Sequence, residues 1–380
     1  MTEGIRPARP DELDDWDGRT VDVPGGNVYQ SVAWGRYRER HGWRPRFLVF
    51  EDGFRLLSLE RPWPLVGGAG AYLSRGPIPA EGLERTAARL RAAADHLAAD
   101  GVDVVASDPE IEASTGYAAL IEADGFAQIE EIQPSRHRMR LALPSDTDEE
   151  ALFRSFGSTL RQLIHAAEKA GLRVVRYDAR SGAGPEPTVG PGFEAPPPGS
   201  LEPAAAAPVF ERLYDLLEAA AVRRHFHIAS KAAFVDWSVH GLAAGHVVYL
   251  EVRDTDDEPV GGATFYRHGG RLTYSHSADR VELRRQYPGV VRLILWRAIQ
   301  LAIRDRLDEL DLAGVDVAGA RREPREGEEM HGLYAFKRSF GAEWVELAGN
   351  HEWVARPWRY AAGRVTARLA AIVPRSRSEA

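Results

Sequence analysis

One lysine near the end of the chain, Lys337, lies among aromatic residues in a pattern that suits chemistry on an anionic group. The segment reads Gly332-Leu333-Tyr334-Ala335-Phe336-Lys337. Tyr334 and Phe336 can hold the lysine partly buried, where its charge attracts an anion more strongly than it would in water. The alternative is a surface lysine whose stem lies along apolar surface. We therefore take Lys337 as a candidate catalytic residue, and Tyr334 and Phe336 as candidate substrate-binding residues.

Other residue types exclude several kinds of active site. The chain has no cysteine, which excludes disulfides, thiol nucleophiles and thiolate metal ligands. It has no Gly-x-Ser-x-Gly motif, so a serine nucleophile of the hydrolase type is not indicated. His225, His227 and His276 lack the spacing that would form a metal site with carboxylates. We predict neither a metal nor a cofactor.

Two domains are expected to position these residues. With 380 residues, 44% of them hydrophobic, the chain can form two cores of ordinary domain size. Polar and acidic residues at 145–150 predict the start of a helix over 149–170, and with it a second unit. We therefore predict one domain over 1–145, on which residues 349–380 pack, and another over 146–348.

The periodicity of apolar residues predicts the elements of both domains. In the first, we expect strands at 46–50, 56–59 and 102–106 and an amphipathic helix at 80–100. In the second, a segment rich in proline and glycine, 181–208, predicts a surface loop. It is followed by a predicted helix (209–221), strands (246–252, 261–266, 271–277), a helix (290–304) and a strand (310–315).

This order of helix, antiparallel strands, helix and strand resembles the GNAT type of N-acyltransferase fold, and the first half shows a fainter version of it. The predicted fold class is α/β, or α+β. We expect two tandem GNAT-like domains, each a mixed and mostly antiparallel sheet flanked by helices.

Five segments, in the same order along the chain, resemble segments of the Fem family. They are Gly26-Asn27-Val28-Tyr29-Gln30-Ser31-Val32-Ala33-Trp34 with Trp43, then Ser74-Arg75-Gly76-Pro77-Ile78, the helix from Leu160 to Leu172, Asp311-Leu312-Ala313-Gly314-Val315, and the segment from Gly332 to Gly341. Ala313 departs from the family, which usually has glycine there. The family contains aminoacyl-tRNA-dependent transferases that build peptidoglycan cross-bridges. The resemblance therefore implies an aminoacyl-tRNA donor and a peptidoglycan precursor, lipid-linked or UDP-linked, as acceptor.

The resemblance also implies roles for individual residues. Lys337 matches the family lysine at the meeting point of donor and acceptor. Arg38 and Arg223 resemble residues that bind the diphosphate of the precursor, whose oxygens fit guanidinium groups bidentately. Trp34 belongs to the motif that precedes Arg38 and is taken as substrate-binding. The alternative for Arg38 is a solvated helix charge, because further arginines crowd the segment: Arg36, Arg40, Arg44 and Arg46.

Two further residues are implied, each with a structural alternative. Tyr274 matches a family tyrosine whose hydroxyl could orient the precursor, but a core tyrosine with a backbone partner fits the sequence as well. Asp108 follows a strand and matches a family carboxylate that could act as a general base. It also fits a turn residue or a helix cap.

Other functions stay open at the level of sequence. An acyl-CoA N-acetyltransferase would bind pyrophosphate at a glycine-rich helix start, where this chain reads Gln286-Tyr287-Pro288-Gly289-Val290. Pro288 removes a donor and Val291 replaces the last small residue of the motif, so binding of acetyl-CoA is disfavoured. The remaining alternatives are a binding module without turnover and tRNA-dependent transfer to a small natural-product amine.

Charge and hydropathy indicate the location and partners of the chain. A net charge of −8 argues against DNA binding through a broad basic surface, but it permits one basic cleft for the acceptor end of tRNA. No apolar run or N-terminal signal is found, so we expect a cytoplasmic chain. We also expect a monomer. The helix predicted at 361–373 carries Arg364 and Arg368 among apolar residues. It could pack on its domain or make a peripheral contact with an anionic membrane.

Overall fold

The structure is a computed structural model that describes residues 4–133, 136–180, 192–224, 226–315 and 322–372. The chain forms two compact units. The first comprises Met1–Arg136 together with Glu346–Ala380, and the second comprises His137–Val345.

Each unit is built on a seven-stranded sheet. The strands are Ile5–Pro7 (β1), Arg44–Phe50 (β2), Arg55–Pro62 (β3), Ala69–Leu73 (β4), Val102–Ser107 (β5), Ala127–Gln128 (β6), His137–Ala142 (β7), Arg173–Tyr177 (β8), Val247–Arg253 (β9), Pro259–His268 (β10), Arg271–Asp279 (β11), Glu309–Asp311 (β12), Glu343–Glu346 (β13) and His351–Val354 (β14). The first sheet has the order β1-β2-β3-β4-β5-β14-β6, and the second β13-β7-β12-β11-β10-β9-β8. The pairs β4–β5 and β11–β12 are parallel, whereas β2–β3 and β9–β10 are antiparallel.

Helices flank both sheets. They are Asp17–Thr20 (α1), Val32–Arg40 (α2), Leu83–Ala99 (α3), Tyr117–Ala123 (α4), Glu149–Ser155 (α5), Ser158–Lys169 (α6), Pro203–Arg224 (α7), Lys231–Ala243 (α8), Val290–Arg304 (α9), His331–Arg338 (α10) and Pro357–Ile372 (α11). The predicted fold class is therefore confirmed in the described part of the chain: two mixed sheets flanked by helices.

The core of each unit follows from residue spacing. In α3, Leu90, Ala94 and Leu97 recur at helical spacing and are fully buried against the first sheet. In β9, Val248, Leu250 and Val252 alternate along the strand, so they share one face and join the core beneath α6 and α9. Burial of these stripes fixes which face of each element is internal.

The described part of the predicted loop 181–208 is partly helical, which corrects the prediction. Residues 181–191 lie outside the described residues. Glu194 forms a bridge to Val175 at the edge of the second sheet. Helix α7 then begins at Pro203 and not at 209, because proline is tolerated in the first turn of a helix and four alanines follow it.

Two further element boundaries differ from the predictions. The helix predicted over 149–170 is two helices, α5 and α6, because Phe156 takes an extended conformation and its ring enters the core. The strand predicted over 310–315 ends at Asp311, because Ala313 adopts a left-handed conformation with φ of 58°.

The boundary between the units also lies elsewhere than at residues 145 and 146. Strand β7 precedes that point, yet it pairs with β12 in the second sheet. At the other end, β14 pairs with both β5 and β6, so the last strand of the chain lies inside the first sheet.

Candidate active site

Helix α10 buries Lys337 in the second unit. The lysine lies in the last turn of the helix and is only 4% exposed. Its Nζ donates hydrogen bonds to two backbone carbonyl oxygens, that of Gly314 at 2.6 Å and that of Ala313 at 3.2 Å. A buried ammonium group is strongly destabilising unless its protons are bonded. The carbonyls of residues 313 and 314 therefore hold a buried cation in a defined position.

The loop after β12 turns these carbonyls toward the lysine. The Asp311 carboxylate accepts a hydrogen bond from the Ala313 amide at 2.8 Å, a local turn typical of aspartate. The Met139 amide of β7 donates to the Ala313 carbonyl, and Met139 accepts from the Leu312 amide. The left-handed φ of Ala313 completes the turn. Because glycine adopts that conformation without strain, the glycine usual in the Fem family suits this position.

His137 supports the same loop, and the sequence did not indicate it. Its Nε2 accepts a hydrogen bond from the Val315 amide at 2.6 Å, and its ring stacks on Trp344 with the centroids 3.6 Å apart. Burial, reinforced by the charge of Lys337, lowers the pKa of His137 to about 4. The ring is therefore neutral at pH 7, as its acceptor role requires. No local signal marks His137, because it meets Val315 and Trp344 only through the fold.

Tyr334 and Phe336 pack inside the second unit. The Tyr334 hydroxyl bonds to the Glu323 carboxylate and accepts a hydrogen bond from Arg338 at 3.2 Å. Phe336 packs against Phe340, with the ring centroids 5.6 Å apart. The structure thus brings both aromatic residues onto the helix of Lys337, where they contribute to the core.

Tyr274 and Arg223 lie on other elements of the second unit. Tyr274 is half-buried in β11, and its hydroxyl bonds to that of Ser277. Burial raises the pKa of Tyr274, which the charge of nearby Arg224 partly offsets. Arg223 and Arg224 end α7, and both are exposed. Among the described residues neither forms an ion pair with a carboxylate.

Two of the three histidines predicted not to form a metal site lie among the described residues, and their environments differ. His225 lies outside the described residues, and His227 is exposed. The His276 ring bonds to the Ser275 hydroxyl at 2.7 Å and packs against Phe234. Burial lowers the pKa of His276 to about 4. The described residues contain no group of three potential ligands that could hold a metal ion.

In the first unit, Arg38 lies between aromatic rings. Ser31 caps α2 by accepting from the Trp34 amide, and Trp34 and Arg38 follow one turn apart on the same face. The Arg38 guanidinium lies 5.3 Å from the Trp34 ring centroid and 4.7 Å from that of Trp43. Arg61 approaches Trp43 as well, at 5.6 Å.

These side chains form a positively charged cluster without a matching carboxylate. We call it the cation cluster; it consists of Trp34, Arg38, Trp43 and Arg61. Burial lowers the pKa of Arg38, and the charge of Arg61 acts in the same direction. Neither arginine pairs with a carboxylate among the residues that the structure describes. The buried Nε of Arg38 has no hydrogen-bond partner there. Such an arrangement suits an anionic group with several acceptor oxygens.

Asp108 is buried in the first unit, and both of its oxygens accept hydrogen bonds. One oxygen accepts from the Tyr72 hydroxyl at 2.7 Å, and the other accepts from the Arg75 amide at 2.7 Å. Burial raises the pKa of Asp108, while the Arg75 charge lowers it. These contacts hold Asp108 against Tyr72 of β4 and the backbone of Arg75.

The chain is similar to known proteins in both sequence and structure. A family model described as acetyltransferase (GNAT) domain matches residues 194–338. The structure titled "Crystal structure of FemX" matches with a TM-score of 0.73 at 17% identity, covering 94% of this chain and 99% of that one. That of L-PGS from Bacillus licheniformis matches with a TM-score of 0.52 at 9% identity, covering 95% and 97%. No curated protein sequence matches the chain.

These likenesses establish the fold. At identities of 17% and 9% they do not transfer residue roles or substrates. The predicted resemblance to the Fem family is confirmed as a Fem-type GNAT fold, and the GNAT match supports an acyl- or aminoacyltransferase. Within the described residues, no helix is long and apolar enough to cross a membrane.

Proposed function

We propose that the chain transfers an aminoacyl group from aminoacyl-tRNA to an amine of a peptidoglycan precursor stem peptide. The observation that carries the proposal is the buried ammonium of Lys337, held by two backbone carbonyls within the segment that matches a GNAT domain. The likeness to FemX supports the aminoacyl donor.

The reaction forms an amide and breaks an ester. The acceptor amine loses a proton and attacks the ester carbonyl carbon, an oxyanion develops, and the C–O bond to the ribose breaks as its hydroxyl oxygen takes up a proton. Stabilisation of an oxyanion by one good donor contributes about 2.7–4 kcal/mol, and correct approximation of two substrates about 7–11 kcal/mol. Positioning therefore dominates, and no covalent enzyme intermediate is needed.

We assign to Lys337 the role of stabilising the negative charge that develops in this step. A cation in a site of low dielectric stabilises an oxyanion or a leaving oxygen more than a solvated lysine does. The carbonyls of Ala313 and Gly314 fix its position before substrate arrives. Preorganisation of this kind avoids a reorganisation penalty during the reaction.

We assign to the cation cluster the role of binding the anionic part of the acceptor. Arg38 offers guanidinium donors, and the rings of Trp34 and Trp43 shield it from water. A diphosphate matches the bidentate geometry of arginine. Arg223 remains a second candidate for the same group. Asp108 is proposed as a positioning residue for Tyr72, because both its oxygens already accept hydrogen bonds.

Acyl-CoA transfer on the same fold receives less support. The turn before α9, where a pyrophosphate would bind, packs tightly on α6: a Cβ on Gly289 would lie 2.4 Å from the Leu163 carbonyl oxygen. Pro288 lacks an amide donor as well. Both features reduce the room and the donors for a pyrophosphate at this helix start.

A transfer assay tests the proposal. The chain is incubated with pooled charged tRNAs, one radiolabelled amino acid at a time, and with lipid-linked or UDP-linked precursor or a small natural-product amine. We expect label to move to a precursor. Transfer to the small amine alone would replace the acceptor, whereas turnover of acetyl-CoA with no transfer from any tRNA would overturn the proposal.

A further inference from the structure

Helix α11 in the first unit carries an apolar stripe that faces away from the protein. Trp358, Val365 and Leu369 are 73%, 55% and 57% exposed. At 100° per residue, positions 358, 365 and 369 fall within about 40° of one another on the helix. Three large apolar side chains in one exposed row are unusual for a helix at the surface of a globular unit.

The opposite face of α11 packs on the first unit, so the helix is held in place. Gly363 lies so close to Trp63 that a Cβ there would be 2.4 Å from the indole ring. The Arg359 guanidinium pairs with the Asp103 carboxylate at 3.2 Å. Packing therefore accounts for one face of α11 and leaves the stripe without a partner in the described part of the chain.

A second apolar side chain is exposed on the segment that receives α11. Leu65 is 97% exposed and has a φ of 69°. It lies in the turn between β3 and β4, two residues after Trp63, which contacts the helix. A left-handed conformation is strained for leucine, and nothing in the described residues compensates by burying its side chain. Leu65 therefore adds a further exposed apolar side chain on the segment that packs against α11.

Arginines lie beside the stripe. Arg364 and Arg368 are exposed one turn apart, and neither pairs with a carboxylate among the described residues. Over 356–377 the sequence has six arginines and no acidic residue, although the whole chain has a net charge of −8. Among the described residues, Arg364 and Arg368 thus place positive charge on the helix that carries the apolar stripe.

We propose that this face, consisting of Leu65, Trp358, Val365 and Leu369 with Arg364 and Arg368, docks on the surface of an anionic phospholipid bilayer. An amphipathic helix with an apolar row and adjacent arginines lies in the plane of the headgroups, with its apolar side chains at the acyl boundary. The arginines bind lipid phosphates, each contributing roughly fivefold to binding near an anionic surface.

A second copy of the chain fits this face less well. In a symmetric pair the same patch meets itself, so the arginines of both helices would come together without acidic partners. An anionic bilayer supplies the complementary charge. For the proposed transferase, docking would favour a lipid-linked acceptor; this last step rests on the proposed function, whereas the docking itself does not.

Vesicle flotation tests the docking. The intact chain is mixed with vesicles of phosphatidylcholine alone or of phosphatidylcholine with phosphatidylglycerol. We expect binding to the anionic vesicles that weakens with added salt. The variants Val365→Asp/Leu369→Asp and Arg364→Glu/Arg368→Glu should each lower the partition at least about tenfold.

Matched variants of exposed residues elsewhere serve as controls. Ile132→Asp and Arg154→Glu/Arg285→Glu should bind vesicles like the native chain. All variants should melt like the native chain and transfer to a soluble UDP-linked precursor at the native rate, which separates docking from chemistry. Failure of the native chain to float with anionic vesicles, equal flotation of the α11 variants, or a native dimer that these variants abolish without vesicle binding would each overturn the proposal.

Discussion

Lys337 couples the proposed chemistry to the stability of a loop. Its ammonium donates to the carbonyls of residues 313 and 314, so the same group that would face developing charge also holds the backbone around it. A sequence pattern of aromatic residues around a lysine indicated burial but not these partners. Removal of the charge is therefore expected to affect both turnover and folding.

The first prediction concerns the charge of this lysine. Lys337→Met keeps the length of the side chain and should lower kcat/KM by at least about a hundredfold, the scale of one lost oxyanion donor. It should also lower the free energy of unfolding by about 1–3 kcal/mol, because the carbonyls of residues 313 and 314 lose the hydrogen bonds from Nζ. Transfer kinetics and urea unfolding measure the two effects, with exposed Lys231→Met as control. Near-native turnover in a folded variant would remove Lys337 from the mechanism.

A second prediction at this scale concerns Arg38. Arg38→Gln should raise the KM for the precursor roughly ten- to a hundredfold and change kcat less, because a charged hydrogen bond to a bound anion is lost in the ground state. Arg36→Gln, on the exposed side of the same helix, is the matched control. A fall in kcat at unchanged KM would contradict a binding role for the cation cluster.

At the scale of elements, the loop that follows β12 depends on one unusual backbone conformation. Ala313 has a φ of 58°, and its amide and carbonyl are both hydrogen-bonded. An L-residue in this region is destabilised by roughly 1–2 kcal/mol. The sequence pattern extended the strand through Ala313 because an apolar run does not reveal the sign of φ.

The third prediction tests this strain. Ala313→Gly should leave the free energy of unfolding unchanged or raise it by up to about 1 kcal/mol, because relief of strain offsets the greater freedom of the unfolded chain. Ala335→Gly makes the same chemical change on the exposed face of α10 and should lower it by about 1 kcal/mol. Urea unfolding of both variants measures the two changes. An equal loss of unfolding free energy in both would show that the turn does not strain alanine.

Elements whose patterns repeat over several turns could be predicted from the sequence, and those set by distant contacts could not. Helix α3 and strand β9 follow from their apolar spacing, and Asp148 caps α5 as its position suggests. The start of helix α7 was predicted too late because Pro203 and Pro208 were taken as signs of a loop, whereas the four alanines between them are helical. His137 was missed because its partners lie far away in the chain.

At the scale of the whole molecule, two histidines with lowered pKa values, His137 and His276, make stability depend on pH. Burial lowers the pKa of both His137 and His276 to about 4, against about 6.5 in the unfolded chain. Between these values the unfolded chain binds more protons than the folded one, so stability rises with pH. The contribution is fully present above about pH 6.5 and is lost as the pH falls toward 4.

The fourth prediction follows from this sign. The free energy of unfolding should fall between pH 6.5 and pH 4 with a slope of at most about 1.4 kcal/mol per pH unit for each histidine. His137→Gln should reduce the slope, whereas the exposed His165→Gln should leave it unchanged. Denaturant unfolding of the native chain and both variants between pH 4 and pH 6.5 measures this slope. A slope that His137→Gln does not alter would exclude its titration as a cause.

Strand β14 has a consequence for the order in which the chain folds during synthesis. Its partners β5 and β6 leave the ribosome long before it does, because the entire second unit is encoded between them. At ordinary translation rates this delay is on the order of tens of seconds. During that interval the backbone amides and carbonyls at the edge of β5 that will bind β14 have no strand partner, and such an edge can pair with a wrong strand. The second unit is complete before β14 is synthesised, so it can fold first.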